Sequence, residues 1–199
     1  MKKEGSQLLS DYAAEIAATD ILGPSDFNPV LQGLYSEVGG IMATVKKHVR
    51  DKSAYPGFKK AAEEEFGDTL WYLAAICRRL NFSLDEIFRD AVNHENFKNV
   101  GTASDLAEGS IANIAAPIAT TASLDITLVR LGQSASALLG SPPARNELVV
   151  FARAYLDAIH AAELAFSDVA RSNLRKARGA FLEPEADDLV ELDFDRRFG

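Results

Sequence analysis

The stretch Glu63-Glu64-Glu65-Phe66-Gly67-Asp68-Thr69-Leu70-Trp71-Tyr72-Leu73-Ala74-Ala75-Ile76-Cys77-Arg78-Arg79-Leu80 decides the fold class. On a helix, residues follow one another at about 100° around the axis. Phe66, Leu70, Leu73, Cys77 and Leu80 then form one apolar stripe. Glu65 and Asp68, three residues apart, sit together on one edge of it, and Glu64 lies further round toward solvent. Two carboxylates therefore project beside a core-facing surface, where water is partly excluded.

The preceding amphipathic block repeats this geometry. Leu34, Val38, Ile41, Val45 and Val49 form its stripe, and Glu37 is offset from them much as Glu65 is from its own. If the two helices pack antiparallel, Glu37, Glu65 and Asp68 converge. Three carboxylates without a compensating cation raise one another's pKa. A divalent ion resolves this, and oxygen-only ligands select a hard one, Mg²⁺ first and Mn²⁺ second. The competing reading, strongest for Glu63 and Glu64, is a solvated acidic face. Gly39-Gly40 inside the same helix costs about 2 kcal/mol relative to alanine. Close helix packing, room for a substrate or for a ligand from elsewhere, or a kink would account for the pair.

Working outward, the rest of the chain also reads as helical. Helices are expected over Ser6–Ala18, Pro29–Arg50, Phe58–Leu80 and Leu84–Asn96, separated by breaker-rich segments such as Gly23-Pro24 and Pro56-Gly57. Ser83 with Glu86 makes a capping box for the fourth. Residues 102–140 are rich in Ala, Ser and Thr, Ser141-Pro142-Pro143 is a strong break, and one long helix is expected over Arg145–Ala180. The expected organisation is a helical core over residues 1–100, a helical insertion with a return helix over 101–182, and an acidic tail over 183–199.

Composition sets the outer bounds. The 199 residues carry 21 Lys and Arg against 29 Asp and Glu, a net charge of −8. That balance argues against a nucleic acid polymer or an anionic membrane as partner. The weakly polar run Ile111–Leu131 contains Asn113, Pro117, Asp125 and Arg130 and does not read as a membrane span. Cys77 is the single cysteine, which excludes an internal disulfide and a Cys/His metal knuckle. A lone thiol and no apolar signal core point to a cytoplasmic setting. His48, His94 and His160 have no ligand spacing, and none follows a Glu by three residues, which counts against a di-iron carboxylate bundle. Nucleophile elbows, P-loops and Rossmann glycine motifs are absent.

Gly33-Leu34-Tyr35-Ser36-Glu37-Val38-Gly39, followed by Glu65-Phe66-Gly67-Asp68-Thr69-Leu70-Trp71-Tyr72-Leu73, resembles the MazG-like all-α nucleoside triphosphate pyrophosphohydrolases. The likeness covers about residues 28–96. That family carries E-x-x-E on one helix and E-x-x-D on the next; here Gly40 stands where the second Glu of the first half-motif belongs. The resemblance implies an all-α helical bundle with a MazG-like four-helix core plus additional C-terminal helices. It implies cleavage of a nucleoside triphosphate between the α and β phosphates. Glu37, Glu65 and Asp68 would hold Mg²⁺, and Glu64 is a candidate acceptor for the proton of the attacking water. A homodimer or dimer of dimers, with sites near the subunit interface, is also implied.

Asn173-Leu174-Arg175-Lys176 resembles the N-x-x-K that ends the fourth helix of that family and is associated there with the phosphate chain. The direct sequel of helix four, Asn93 to Lys98, fits less well. Two helical segments inserted between about residues 97 and 165, with the last helix returning Asn173 and Lys176 to the site, reconcile the spacing. Lys47 shares the helix edge of Gly40 and is a further candidate both for catalysis and for phosphate binding, against the alternative of a cation favoured near a helix C-terminus by the dipole. Trp71, Tyr72, Tyr35 and Phe58 are candidates either for stacking on a base or for the core. The alternative to an enzyme is a catalytically degenerate helical relative that binds nucleotide or serves assembly, and Gly40 is the feature favouring it.

Overall fold

The computed structural model describes residues 9–93 and 122–181. Every regular element among the described residues is helical: α1 (Leu9–Ala17), α2 (Phe27–Asp51), a single 3₁₀ turn (Lys52–Ala54), α3 (Phe58–Arg79), α4 (Leu84–Asn93), α5 (Leu124–Ala137), α6 (Arg145–Ala161) and α7 (Phe166–Phe181). The protein is all-α, as expected. The first residues of the expected Ser6–Ala18 helix, His94, the sequel of helix four and the acidic tail over 183–199 lie outside the described residues. No helix among the described residues is long and apolar enough to cross a membrane.

α3 is the central rod. Its apolar positions recur often enough around the axis to bury Ala62, Phe66, Leu70, Leu73, Ala74 and Ile76 together, so it packs against α1, α2, α4 and α7 at once. α2 runs antiparallel to it. Gly33 lies under Tyr72, Gly40 under Glu65, and His48 stacks on Phe58 with ring centroids 3.9 Å apart; as one residue number rises the other falls. α7 is also antiparallel to α3, with Asn173 against Gly67 and Lys176 against Glu64. α5 and α6 pair with each other and lie against α2 and α4 respectively. Met42 of α2 reaches Gly132 of α5, and Arg145 in the first turn of α6 pairs with Asp90 and Glu86 of α4.

The core closes on Tyr155 of α6. Its ring meets Phe66, Phe88, Phe151 and Phe166, all fully buried. Each such aromatic contributes about 2–3 kcal/mol by burial. The Tyr155 hydroxyl donates to the Phe66 carbonyl at 2.7 Å, so the polar end of the ring is satisfied inside the core. A second polar anchor fixes the α1–α2 connection. Arg79 pairs with Asp20 at 2.6 Å, their side chains 1% and 2% exposed, and Arg79 also donates to the carbonyls of Leu22, Gly23 and Ala75. Burial pushes the Asp20 carboxyl up, but Arg79 and Arg78 prevail and hold it below its ordinary value. Removing either partner would strand a buried charge.

Two expectations are corrected. The single helix over Arg145–Ala180 is two helices, α6 and α7, broken at residues 162–165. Glu163 takes a left-handed conformation at φ 56°, its N–H donates to the His160 carbonyl, and the Leu164 N–H donates to Ile159. This is a Schellman ending with glutamate in the place usually taken by glycine. Asn81 ends α3 in the same way, bonding Arg78 while Phe82 bonds Cys77. Val49 does not extend the apolar stripe of α2 and is 62% exposed. α3 begins at Phe58, level with His48, so the last turn of α2 runs past the start of its partner. The capping residue Ser83 accepts from the Glu86 N–H at 3.4 Å, as expected.

Candidate functional site

The α2–α3 register sets Glu37 opposite Asp68, one turn from Glu65 on α3. Glu37 and Asp68 face a cleft of about 270 Å³ lined also by Trp71, Tyr72, Asn173 and Lys176. Glu37, Glu65 and Asp68 are thus brought near one another, with Glu65 outside the lining of the cleft. Glu37 and Glu65 are hydrogen-bonded to each other. Burial, then the charges of Asp68 and Glu65, push the Glu37 carboxyl up to about 7. Burial and Asp68 raise Glu65 as well.

Gly40 explains where Glu65 goes. A β-carbon at position 40 would fall on the Glu65 carboxylate, with Cδ at 2.9 Å. At Gly40 the α3 carboxylate fills the space that a side chain would take. Gly39 has no neighbour within 4 Å and faces outward.

The other wall comes from α7. Gly67 admits Asn173 closely, with its Cβ 2.8 Å from an ideal β-carbon on the glycine. Asn173 Nδ2 donates to Asp68 Oδ1 at 3.0 Å. Lys176 Nζ donates to Asp68 Oδ2 at 2.6 Å and to Glu64 Oε1 at 2.9 Å. Partial burial works against the Lys176 charge, yet Asp68 and Glu64 hold it above the ordinary lysine range. Both oxygens of Asp68 are thus occupied by donors. Asn173 and Lys176, expected at the site, are there, on a helix separated from α4 by about seventy residues of sequence.

Two candidates stand differently. Lys47 does not line the cleft; its ammonium lies over the Tyr55 ring, 4.7 Å from the centroid. Seven residues beyond Gly40 is roughly 10 Å along the helix, and the correct edge does not compensate for that distance. Glu64 is exposed, beyond Lys176 from the Glu37–Glu65 pair. Trp71 and Tyr72 form the apolar side of the cleft; Trp71 Nε1 donates to Thr19 at 2.9 Å, and the two rings meet edge to face. Tyr35 is exposed, and Phe58 is taken up by His48. Cys77 is buried, its thiol pushed up to about 12 by desolvation, and is not a nucleophile.

Sequence reasoning missed Tyr12. Its hydroxyl, fully buried, donates to Asn173 Oδ1 at 2.7 Å. That fixes the amide so that its NH₂ faces Asp68. The signal was a tyrosine in phase with Leu9 and Ile16 on the buried face of α1, where a phenol needs a partner.

The residues suit a hard cation in chemistry more than in present arrangement. Among the described residues, no three His, Cys, Asp or Glu side chains stand as a ready-made metal cage. The side chains of Glu37, Glu65 and Asp68 nevertheless offer only oxygen, and the Lys176 ammonium pairs with Asp68 where an ion would neutralise it. Comparison with protein-family models, with curated proteins and with solved structures finds no match to this chain.

Proposed function

We propose that the protein is a metal-dependent nucleoside triphosphate pyrophosphohydrolase of the MazG-like kind, working as a homodimer or dimer of dimers. The observation that supports this reading is the approach of Glu37 and Asp68 from antiparallel helices at one cleft, with Glu65 beside Glu37 and with Lys176 and Asn173 bonded to Asp68. Glu37, Glu65 and Asp68 would hold Mg²⁺, which would supply neutralisation of the phosphate chain and a more acidic water.

The chain's own groups do the rest. Trp71 and Tyr72 offer an apolar wall for the nucleoside. Asn173 holds Asp68 in one orientation. Lys176 leaves its carboxylate partners for the more highly charged phosphates, and its departure frees Glu64 to accept the proton of water. One P–O bond of the α–β bridge breaks, the oxygen of water joins the phosphorus, and monophosphate and pyrophosphate leave. Positioning and charge stabilisation carry the rate.

The second reading is a nucleotide-binding or assembly protein without turnover. It is favoured by the occupied oxygens of Asp68 and by the glycine at position 40. Pyrophosphate release with Mg²⁺, measured across the canonical ribo- and deoxyribonucleoside triphosphates, separates the two. Turnover abolished in Glu65→Gln and Asp68→Asn supports the enzyme; a folded wild-type chain without turnover decides for the second.

A further inference from the structure

A second cleft, of about 230 Å³, lies on the other side of Lys176 and is lined by Lys60, Glu64, Ser172, Asn173 and Lys176. It shares Asn173 and Lys176 with the first, so these two side chains stand at the boundary between the clefts. The linings differ in what they add to the shared Asn173 amide and Lys176 ammonium. The first adds the rings of Trp71 and Tyr72 and the carboxylates of Glu37 and Asp68; the second adds the Lys60 ammonium, the Ser172 hydroxyl and the Glu64 carboxylate, which is already paired with Lys176.

Lys60 is the informative residue. Glu64 lies four residues further along α3, the spacing at which a lysine and a glutamate on one helix ordinarily pair. Here Glu64 turns to Lys176 instead, at 2.9 Å. Among the described residues Lys60 makes no ion pair, although it lines a concave surface. It also sits in the first turn of α3, where the helix dipole favours an anion.

We infer that the Lys60–Ser172–Lys176 cleft is a subsite for a diphosphate, holding the β and γ phosphates of the substrate and then the pyrophosphate product. This rests on the function proposed above and adds to it the direction in which substrate lies. The nucleoside packs on Trp71 and Tyr72, the terminal phosphates extend past Lys176 toward Lys60, and the α–β bridge falls at the boundary, beside Asp68 and Glu64.

The test is titration calorimetry of the full-length protein with inorganic pyrophosphate, with and without Mg²⁺. Lys60→Gln is compared with Lys59→Gln, an equal charge change on an exposed neighbour that does not line the cleft. The expected result is about tenfold weaker pyrophosphate binding for Lys60→Gln, a smaller loss for Ser172→Ala, and no change for Lys59→Gln. Equal weakening in both lysine variants, or no pyrophosphate binding by the wild type, overturns the subsite. Lys60-dependent binding without triphosphate turnover removes the enzyme reading and leaves the subsite standing. Turnover with Lys60-independent binding does the reverse.

Discussion

The Glu65 carboxylate occupies the space that a β-carbon on Gly40 would need. Glycine in the middle of α2 is therefore a cost to the helix that makes room for an acid from α3. Gly40→Ala restores about 1 kcal/mol of helix propensity and displaces only the flexible end of Glu65. The variant is expected to melt higher than wild type and to lose at least tenfold in pyrophosphate release. Gly39→Ala, with open space around it, should gain the same stability at full activity. Should the two alanine variants behave alike in activity, Gly40 has no part in placing Glu65.

Gly67→Ala should act in the opposite sense on stability. Its new methyl meets Asn173 Cβ at 2.8 Å, a backbone-anchored atom on a buried helix face. Relief requires α7 to move from α3, at a cost of about 1–3 kcal/mol. Urea unfolding of the three glycine variants side by side orders them: Gly39 and Gly40 above wild type, Gly67 below.

The pH dependence follows from Glu37. Its folded-state pKa is raised, to about 7, above the unfolded value of 4.5. Between these values the folded protein binds more protons than the unfolded chain, so stability falls as pH rises. The contribution is fully present below about pH 4.5 and lost through about pH 7. The metal-free protein should melt higher at pH 5.5 than at pH 8, with Glu65, also raised, adding to the slope. Glu37→Gln should flatten the profile and raise the pH 8 melting temperature. A wild-type profile that climbs from pH 5.5 to 8 contradicts the assignment.

Much of this arrangement was legible because one helical period governs it. The stripes of α2 and α3 fix which way Glu37, Glu65 and Asp68 face, and a rod has few ways to cover a stripe. Lys47 shows the limit of that argument: angle around the axis was right, but position along it depends on where the partner helix begins. The break between α6 and α7 was not legible, since Ala161-Ala162-Glu163-Leu164-Ala165 contains neither glycine nor proline and would suit a helix interior. Packing of α7 on α3 and α1 overrides that local preference. The burial of Tyr12 was legible from its place beside Leu9 and Ile16, but its partner was not, because Asn173 is 161 residues away.

That break yields its own prediction. A left-handed conformation costs a non-glycine residue roughly 1–2 kcal/mol, and glycine loses part of the gain through its more mobile unfolded chain. Glu163 is exposed and makes no ion pair among the described residues. Glu163→Gly should stabilise by about 0.5–1 kcal/mol in urea unfolding, while Glu163→Val, which tolerates the left-handed region poorly, should destabilise. A neutral or harmful glycine would mean that the conformation at position 163 is not the one described.

Tyr12→Phe tests the chain of contacts behind Asp68. The substitution removes one oxygen and leaves Asn173 Oδ1 buried without its donor, which costs about 1–3 kcal/mol. The amide is then free to turn, and the group facing Asp68 Oδ1 is no longer always an N–H. A positioning residue of this kind typically accounts for about 10–100-fold in metal affinity or activity. The expected outcome is a stable but weakened fold, reduced Mg²⁺ affinity by calorimetry, and a lower kcat with little change in KM. Loss of stability with wild-type Mg²⁺ affinity and kcat would show that Tyr12 supports only the core, and that Asp68 is held by Lys176 without help from the asparagine.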